Sequence, residues 1–264
     1  MNNSSDTSTL NSELSGRDFY ANLYSDSLEY EAEWLRRRAV QTADSICTLI
    51  HRQGLNPSNI LEVGCGTGAV LYELQKRGIA KSYYAIDYSS DAISYVNHNL
   101  PDVHAIVGDI KDCPQLFQGK KFDLVICAHV LEHLEVPQLF LKSIGLLNWQ
   151  TFIAEVPLEN LFFGKIKERF QDRTKHPAGH VQFFNNNQFL DLIAGNELNI
   201  INQNIYAPIL TMDTLKFRYG NSSRFKYIYK IFTENYFPRF LGSFWTKYYH
   251  AHMAVICDRK KLNQ

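Results

Sequence analysis

Residues 60–71, ILEVGCGTGAVL, restrict the fold of this chain more than any other stretch. An apolar run carrying one acid, Glu62, breaks into glycines at every second position, Gly64, Gly66 and Gly68, and then resumes with a helical pattern. Glycine there permits a tight turn at positive φ and the close approach of a ligand to the main chain. In an open α/β sheet such a turn lies beyond the carboxyl end of a strand, where ligands bind. Dinucleotides want G-x-G-x-x-G, with pyrophosphate on the helix N-terminus. Here the spacing is G-x-G-x-G, and the acid two residues before it suits a cationic ligand better than a diphosphate. No Gly-Lys-Ser/Thr follows, which excludes a P-loop. An acid inside an apolar strand is costly without a cationic or hydrogen-bonding partner, which makes Glu62 the firmest of the candidate site acids.

The neighbouring sequence extends the pattern. Short apolar runs at Asn59–Val63, Ser82–Ile86, Ala105–Val107, Leu124–Cys127 and Thr151–Glu155 alternate with amphipathic stretches near Gly68–Arg77, Asp91–Asn99 and Val136–Leu147. That rhythm predicts an α/β fold of the doubly wound, Rossmann-like kind, mostly parallel, with helices on both faces. Residues 17–52 read as an N-terminal helical cap, and residues 1–16, rich in Ser, Asn and Thr, as a disordered tail. Two segments break the rhythm: a charged helical insertion at 157–180 and an aromatic one at about 207–247. Between them lie a helix (NNNQFLDLIAGN) and a strand (LNIINQNIY), and the chain closes on a strand, HMAVICD. There is no internal repeat and no second core, so 17–264 is read as one domain.

With 264 residues the chain can bury a sizeable core. Its 27 basic residues balance 27 acidic ones, so its overall charge does not call for nucleic acid or an anionic membrane. No run reaches membrane-spanning length, the N-terminus lacks a signal-peptide pattern, and the five scattered cysteines form no C-x-x-C, which together predict a reduced, cytoplasmic setting.

At this point LEVGCGTGAVL resembles the first motif of class I S-adenosylmethionine-dependent methyltransferases. YAIDYSSDAI resembles the family's second strand, whose acid takes both ribose hydroxyls; that acid is Asp87, with Tyr88 beside it. IVGDI resembles the third strand, whose acid meets the adenine amino group; here it is Asp109, with Ile110 against the ring. FDLVICAHVLEHL resembles the fourth strand and its exit, with main chain around Cys127 and Ala128 flanking the methionine moiety. GHVQFFNNNQFLDLI resembles a later signature of the small-molecule branch that includes ubiquinone-biosynthesis O-methyltransferases. The resemblance covers roughly residues 55–205 and the last strand. It implies a seven-stranded sheet, S-adenosyl-L-methionine as cofactor, and a cofactor set of Glu62, Gly64, Gly66, Gly68, Asp87, Tyr88, Asp109, Ile110 and Ala128. The plainer alternatives stay open: Asp87 as a turn or N-cap residue, Asp109 as a loop acid.

Methyl transfer from a sulfonium is an in-line displacement, for which a protein supplies alignment and desolvation. A base is needed only when the acceptor must lose a proton, as a hydroxyl does. His129, Glu132 and His133 would share one face of a helical turn directly after the fourth strand. Some ubiquinone-type relatives carry E-x-x-E-H there and hold a divalent metal. In this chain His129 replaces the first acid, which keeps three ligands but favours zinc or iron over magnesium. The branch also carries LEH without any metal, and the reading adopted is catalysis or acceptor orientation by His129, His133 and His180, with a metal as the alternative. Glu155 would face the acceptor or serve the loop, and His176 is read as solvated. Tyr20, Tyr24 and Trp34 would close the N-terminal side over the cofactor.

The aromatic insertion admits several readings. It is a lid around a small acceptor, an amphipathic surface on anionic lipid, a single-stranded RNA platform, or an aromatic core with a solvated basic face. The expected partner is therefore a small-molecule, hydroxyl-bearing acceptor, with peripheral membrane contact as a further expectation and nucleic acid ranked last. The oligomeric state is left open. Rival functions are methylation of a membrane lipid, a quinone or RNA, a non-catalytic cofactor-binding module and, more distantly, a dehydrogenase.

Overall fold

The structure, a computed structural model, describes residues 7–163 and 179–260, with side chains from residue 27 onward. Seven strands form one sheet: β1 (Asn59–Val63), β2 (Ser82–Asp87), β3 (Val103–Val107), β4 (Lys121–Ala128), β5 (Asn148–Leu158), β6 (Leu198–Tyr206) and β7 (Ala251–Arg259). Their spatial order is β3-β2-β1-β4-β5-β7-β6, parallel except for β7, which runs antiparallel to both neighbours. The helices are α1 (Thr7–Arg52), α2 (Ala69–Lys76), α3 (Ser90–Asn99), α4 (Cys113–Leu116), α5 (Pro137–Leu146), α6 (Asn186–Ala194), α7 (Met212–Tyr219), α8 (Arg224–Ile231) and α9 (Phe237–Tyr248).

Alternation along the strands sends successive side chains to opposite faces, and each face has its own core. Ile60 of β1 joins Leu124 and Ile126 of β4 against Ala43, Ile46 and Leu49 of α1, Leu71 and Leu74 of α2 and Val96 of α3. Leu61 and Val63 point the other way, with Val125, Phe152 and Val255, onto Phe140 and Ile144 of α5 and Phe189 of α6. By the same alternation Glu62 shares the α1 side with Ile60. Strand order reverses between β1 and β4, and the crevice at their carboxyl ends is where ligands of such sheets sit.

Three expectations change. The helix starts at Thr7, ten residues inside the stretch read as tail, and kinks at Ser27 (φ −158°, ψ 41°). Ser, Thr and Asn lower helix propensity by only tenths of a kcal/mol each, so a stretch of them does not by itself stop a helix. Pro157 and Leu158 belong to β5 rather than to the first insertion, of which 164–178, with His176, lies outside the described residues. The second insertion is three helices, and its inner side packs on α1: Leu210 and Leu215 meet Trp34, Arg218 pairs with Glu31 at 2.6 Å, and Gln41 accepts from the Ile209 amide at 2.7 Å. Its rings divide: Phe217, Tyr219 and Tyr227 pack against Trp34, Leu210 and Leu215, and Trp245 is buried against Phe237 and Tyr249, as the aromatic-core reading expects, whereas Phe225 is 82% exposed and Phe240 80%. All five cysteines are buried free thiols. Among the described residues, no helix is long and apolar enough to cross a membrane.

Candidate functional site

A cavity of about 760 Å³ opens beyond the carboxyl ends of β1, β2 and β4, within the range of small-molecule and cofactor sites. Its lining brings together Glu62, the glycine turn, Asp87, Tyr88, Asp109, Ile110, Ala128, His129, Glu132, His133 and His180; of the other described candidates Gly68, Cys127 and Glu155 do not line it. Gly68 lies just behind, as the left-handed N-cap of α2 (φ 72°).

The glycine turn is shaped by close approach. Gly64 has φ 73°, and a Cβ there would lie 2.5 Å from Val130 Cγ2, so neither the backbone nor the neighbour leaves room for a side chain. Its N–H donates to Ile86 O (2.8 Å), which stitches the turn to β2. Asp87 completes the stitch: Gly66 N–H donates to Oδ2 (2.8 Å) and Ser89 N–H to Oδ1 (2.9 Å). The plain turn reading of Asp87 is therefore real, and Ser89 rather than Asp87 caps α3. Burial raises the Asp87 carboxyl, offset in part by these two amides. Asp109 likewise accepts from Lys111 N–H (3.0 Å), starting a 3-10 turn, while it and Ile110 line the cavity.

Glu62 is 2% exposed and its Oε2 has no hydrogen-bond partner. Burial pushes its carboxyl up to about 8, partly countered by the Leu71 amide, with Asp87 pushing further up and His129 down. A buried acceptor without a donor, in a cavity wall, fits a ligand that brings a cationic donor.

At the other end of the cavity the expected helical face does not form. Only Leu131–His133 make a short 3-10 turn, and His129 stands outside it in the left-handed region (φ 57°), its N–H donating to Glu155 O at 2.9 Å. Its ring lies between two fully buried carboxylates, Nδ1 3.3 Å from Glu132 and Nε2 3.5 Å from Glu155, with Thr42 Oγ1 3.3 Å from Nε2. Burial would lower His129, but Glu132 and Glu155 outweigh it and raise it to about 9. It is thus an imidazolium at neutral pH, a hydrogen-bond donor rather than a base. Glu155 in turn, despite burial, is held down to about 2 by His129 and His252, and Tyr206 donates to its Oε1 at 2.6 Å. His252, buried and lowered to about 4 by desolvation first, is neutral; its Nδ1 meets Tyr206 Oη at 3.2 Å and its Nε2 has no partner.

Two further histidines sit beside Glu132. Burial lowers His133, whose Nδ1 donates to Gly179 O (3.2 Å). His180 packs edge-on against it with centroids 4.9 Å apart, and its Nδ1 lies 2.6 Å from Glu159 Oε2. The three residues expected as one ligand set therefore divide. Among the described residues the groups able to gather on a metal are His129, Glu155 and His252, and separately Glu132, His133 and His180, each with ligand atoms within 4.8 Å.

Thr42, Tyr206, His250 and His252 escaped the sequence reading. One signal was available: Glu155 is an acid inside the apolar run FIAEV, as Glu62 is inside ILEV, and such an acid implies donors around it. Trp34, 8% exposed, does line the cavity; the side chains of Tyr20 and Tyr24 lie outside the described residues.

Comparison with known proteins bears on the fold around this cavity. A stretch of 171 residues is 27% identical to part of a nonribosomal peptide synthetase from Curvularia clavata, covering 60% of this chain and 1% of that one. Another of 96 residues is 30% identical to the ubiquinone biosynthesis O-methyltransferase of Rickettsia bellii, covering 36% of this chain and 39% of the relative. The chain thus spans only a minor part of either relative's length. Among solved structures, the plantazolicin methyltransferase BamL in complex with a triazolic desmethylPZN analog and SAH is similar at a TM-score of 0.57 and 16% identity, over 96% of this chain and 98% of that one. Residues 61–145 match the family model described as a methyltransferase domain, set here in the seven-stranded fold of the S-adenosylmethionine-dependent methyltransferases.

Proposed function

We propose that the protein transfers a methyl group from S-adenosylmethionine to a hydroxyl of a small-molecule acceptor. Glu62 and the Gly64–Gly68 turn would receive the amino-acid tail, Asp87 the ribose hydroxyls, and Asp109 with Ile110 the adenine. The observation that carries the hydroxyl reading is the His180–Glu159 pair at the cavity wall. A carboxylate at Nδ1 orients the ring at the cavity wall, the arrangement in which a histidine is positioned against an oxygen nucleophile. The acceptor oxygen bonds to the methyl carbon as the sulfur–carbon bond breaks. Its proton passes to His180, and neutral S-adenosylhomocysteine leaves. His129, already protonated, would hold Glu132 and Glu155 in place beside the acceptor and set the charge there. The similarity to an O-methyltransferase supports the same class of acceptor.

The test is transfer of isotopically labelled methyl from the cofactor to a panel of hydroxyl- and amine-bearing small molecules, read by mass spectrometry. His180→Asn should cut kcat by about 100-fold or more while cofactor affinity, measured by calorimetry, stays constant. Labelling confined to amines, or a His180→Asn variant with full kcat, would overturn the hydroxyl reading. Cofactor binding without turnover on the whole panel would favour a non-catalytic module.

A further inference from the structure

Helices α8 and α9 hold apolar side chains in water in an ordered way. Phe225, Ile228 and Tyr229 of α8, with Phe232 just past its end, recur at i, i+3, i+4 and i+7; Phe237, Phe240 and Leu241 of α9 repeat the first three of those spacings, and Phe244 follows beyond a break at Gly242 (φ 44°, ψ −117°). A stripe of this period is what a helix normally turns to a core, yet all eight are exposed. Phe232 meets Tyr236 and Phe237 at 5.7 Å each, and Tyr236 stacks on Phe240 at 6.4 Å, so the two stripes form one patch. Arg224, Lys226, Arg239 and Lys247 are exposed beside it. The single acid from 220 to 248, Glu234, is bonded to Lys230.

We propose that this face docks on an anionic lipid bilayer, its rings entering the boundary between headgroups and acyl chains and its cations meeting lipid phosphates. Apolar stripes between basic flanks are the composition of an interfacial helix, and basic residues near an anionic leaflet add attraction that falls off with salt. A symmetric dimer through this patch would bring both copies' four cations into one interface, where the single acid of each copy is already bonded to Lys230. Single-stranded RNA would use flat rings for stacking, whereas Ile228 and Leu241 stand within the stripes. The position also fits: α9 runs directly into β7, whose approach carries His250 and His252 on the cavity wall, and Leu210 and Arg218 of the same insertion line that cavity. The outer face of this lid is thus the bilayer face, and an acceptor dissolved in lipid would reach the cavity from it. The docking does not depend on which acceptor is methylated.

Full-length protein floated with phosphatidylcholine vesicles containing about a third phosphatidylglycerol tests this. Each ring is worth roughly tenfold in partitioning, so Phe225→Ser with Phe240→Ser should reduce bound protein by about 100-fold. Both rings stand in solvent, so the melting temperature should not move. Lys226→Glu with Arg239→Glu should weaken binding to anionic vesicles and leave the weak binding to neutral ones alone. Flotation by a protein that methylates nothing would support docking while counting against the catalytic reading. The proposal is overturned by absence of flotation at low salt, or by flotation insensitive to both pairs. A dimer that the serine pair dissociates, or salt-dependent retention of single-stranded RNA without flotation, would overturn it as well.

Discussion

Replacing Glu62 with glutamine removes one buried ionisation and keeps the shape of the side chain, so its consequences can be worked out in advance. In the unfolded chain the carboxyl titrates near 4.5; in the folded apo-protein burial pushes it up to about 8. A group raised on folding contributes stability in full below 4.5, and that contribution declines as pH rises through 8. Each pH unit in the window is about 1.4 kcal/mol. At pH 7, roughly 2.5 pH units above the unfolded value, the folded state therefore carries a penalty of about 3 kcal/mol for keeping Glu62 neutral. Glutamine carries none. Urea denaturation of the apo-protein at pH 5.5 and 7.5 should show the wild type losing about 3 kcal/mol more than Glu62→Gln over that interval. The remaining groups titrate in both proteins and cancel in the difference. On the proposed placement S-adenosylmethionine reverses the situation, because its ammonium beside Glu62 would favour the carboxylate. Binding at pH 7 should then release up to about one proton, read by calorimetry in buffers of different ionisation enthalpy, and Glu62→Gln should bind more weakly with no such release. Parallel pH–stability curves for the two proteins, or equal proton release, would refute the reasoning.

Other perturbations test the rest of the site. Gly64→Ala meets both a positive φ and a 2.5 Å contact with Val130 Cγ2. It should cost about 1–3 kcal/mol of stability, and Val130→Ala in the same chain should restore the steric part only, seen in denaturant midpoints. Asp87→Ala should weaken cofactor binding by about 1–3 kcal/mol. Because Gly66 N–H and Ser89 N–H lose their acceptor, it should also lower apo stability; an unchanged dissociation constant would count against the ribose role. Above about 9 His129 loses its charge and one of the two N–H groups facing Glu132 and Glu155, so kcat/KM should fall as pH rises through that value, and a profile flat to pH 10 or beyond would remove its charge from the acceptor site. Exhaustive chelation should leave activity intact; loss that one divalent cation rescues would assign a metal to one of the two histidine–carboxylate groups.

The gathering of the glycine turn, Asp87 and Asp109 at one end of the cavity was legible in the sequence because its determinants are local. Gly64, Gly66 and Gly68 report their own backbone conformations, and Asp87 is placed by the strand that precedes it. Periodicity of 2 and 3.6 likewise located the strands and the crossover helices, since each must bury one face. The acceptor end was not legible, because no single segment makes it. Thr42 comes from α1, Glu155 from β5, Tyr206 from β6 and His252 from β7, and they meet only because the antiparallel β7 is inserted between β5 and β6. The spacing of His129, Glu132 and His133 misled for the opposite reason. It fitted a helix, but the main chain leaves β4 through a left-handed residue that keeps its N–H on Glu155 O. The exposed stripes of α8 and α9 show a further limit of period-based reading. The pattern says that a face is apolar and leaves open whether protein or something else covers it.

The charge states at the two ends of the cavity bear on turnover as well as on binding. Beyond the turn, Glu132 and Glu155 are held ionised against one imidazolium, His129, while His133 and His252 are shifted toward the neutral form. That set carries a net negative charge in a wall of low polarisability, where Coulomb interactions are stronger than in water. The methyl donor is a sulfonium cation and its product a neutral thioether, so the wall attracts the donor and loses that attraction once the methyl has moved. On the proposed placement Glu62 would act in the same sense toward the ammonium of the amino-acid tail, which both donor and product retain. It therefore contributes to affinity for each, while the Glu132–Glu155 set contributes to the difference between them. A variant that neutralises Glu132, such as Glu132→Gln, should narrow the preference for S-adenosylmethionine over S-adenosylhomocysteine. Glu62→Gln should weaken the two nearly equally. Paired calorimetric titrations of both ligands on both variants separate the roles, and equal narrowing by the two substitutions would show that the two ends of the cavity are not distinct.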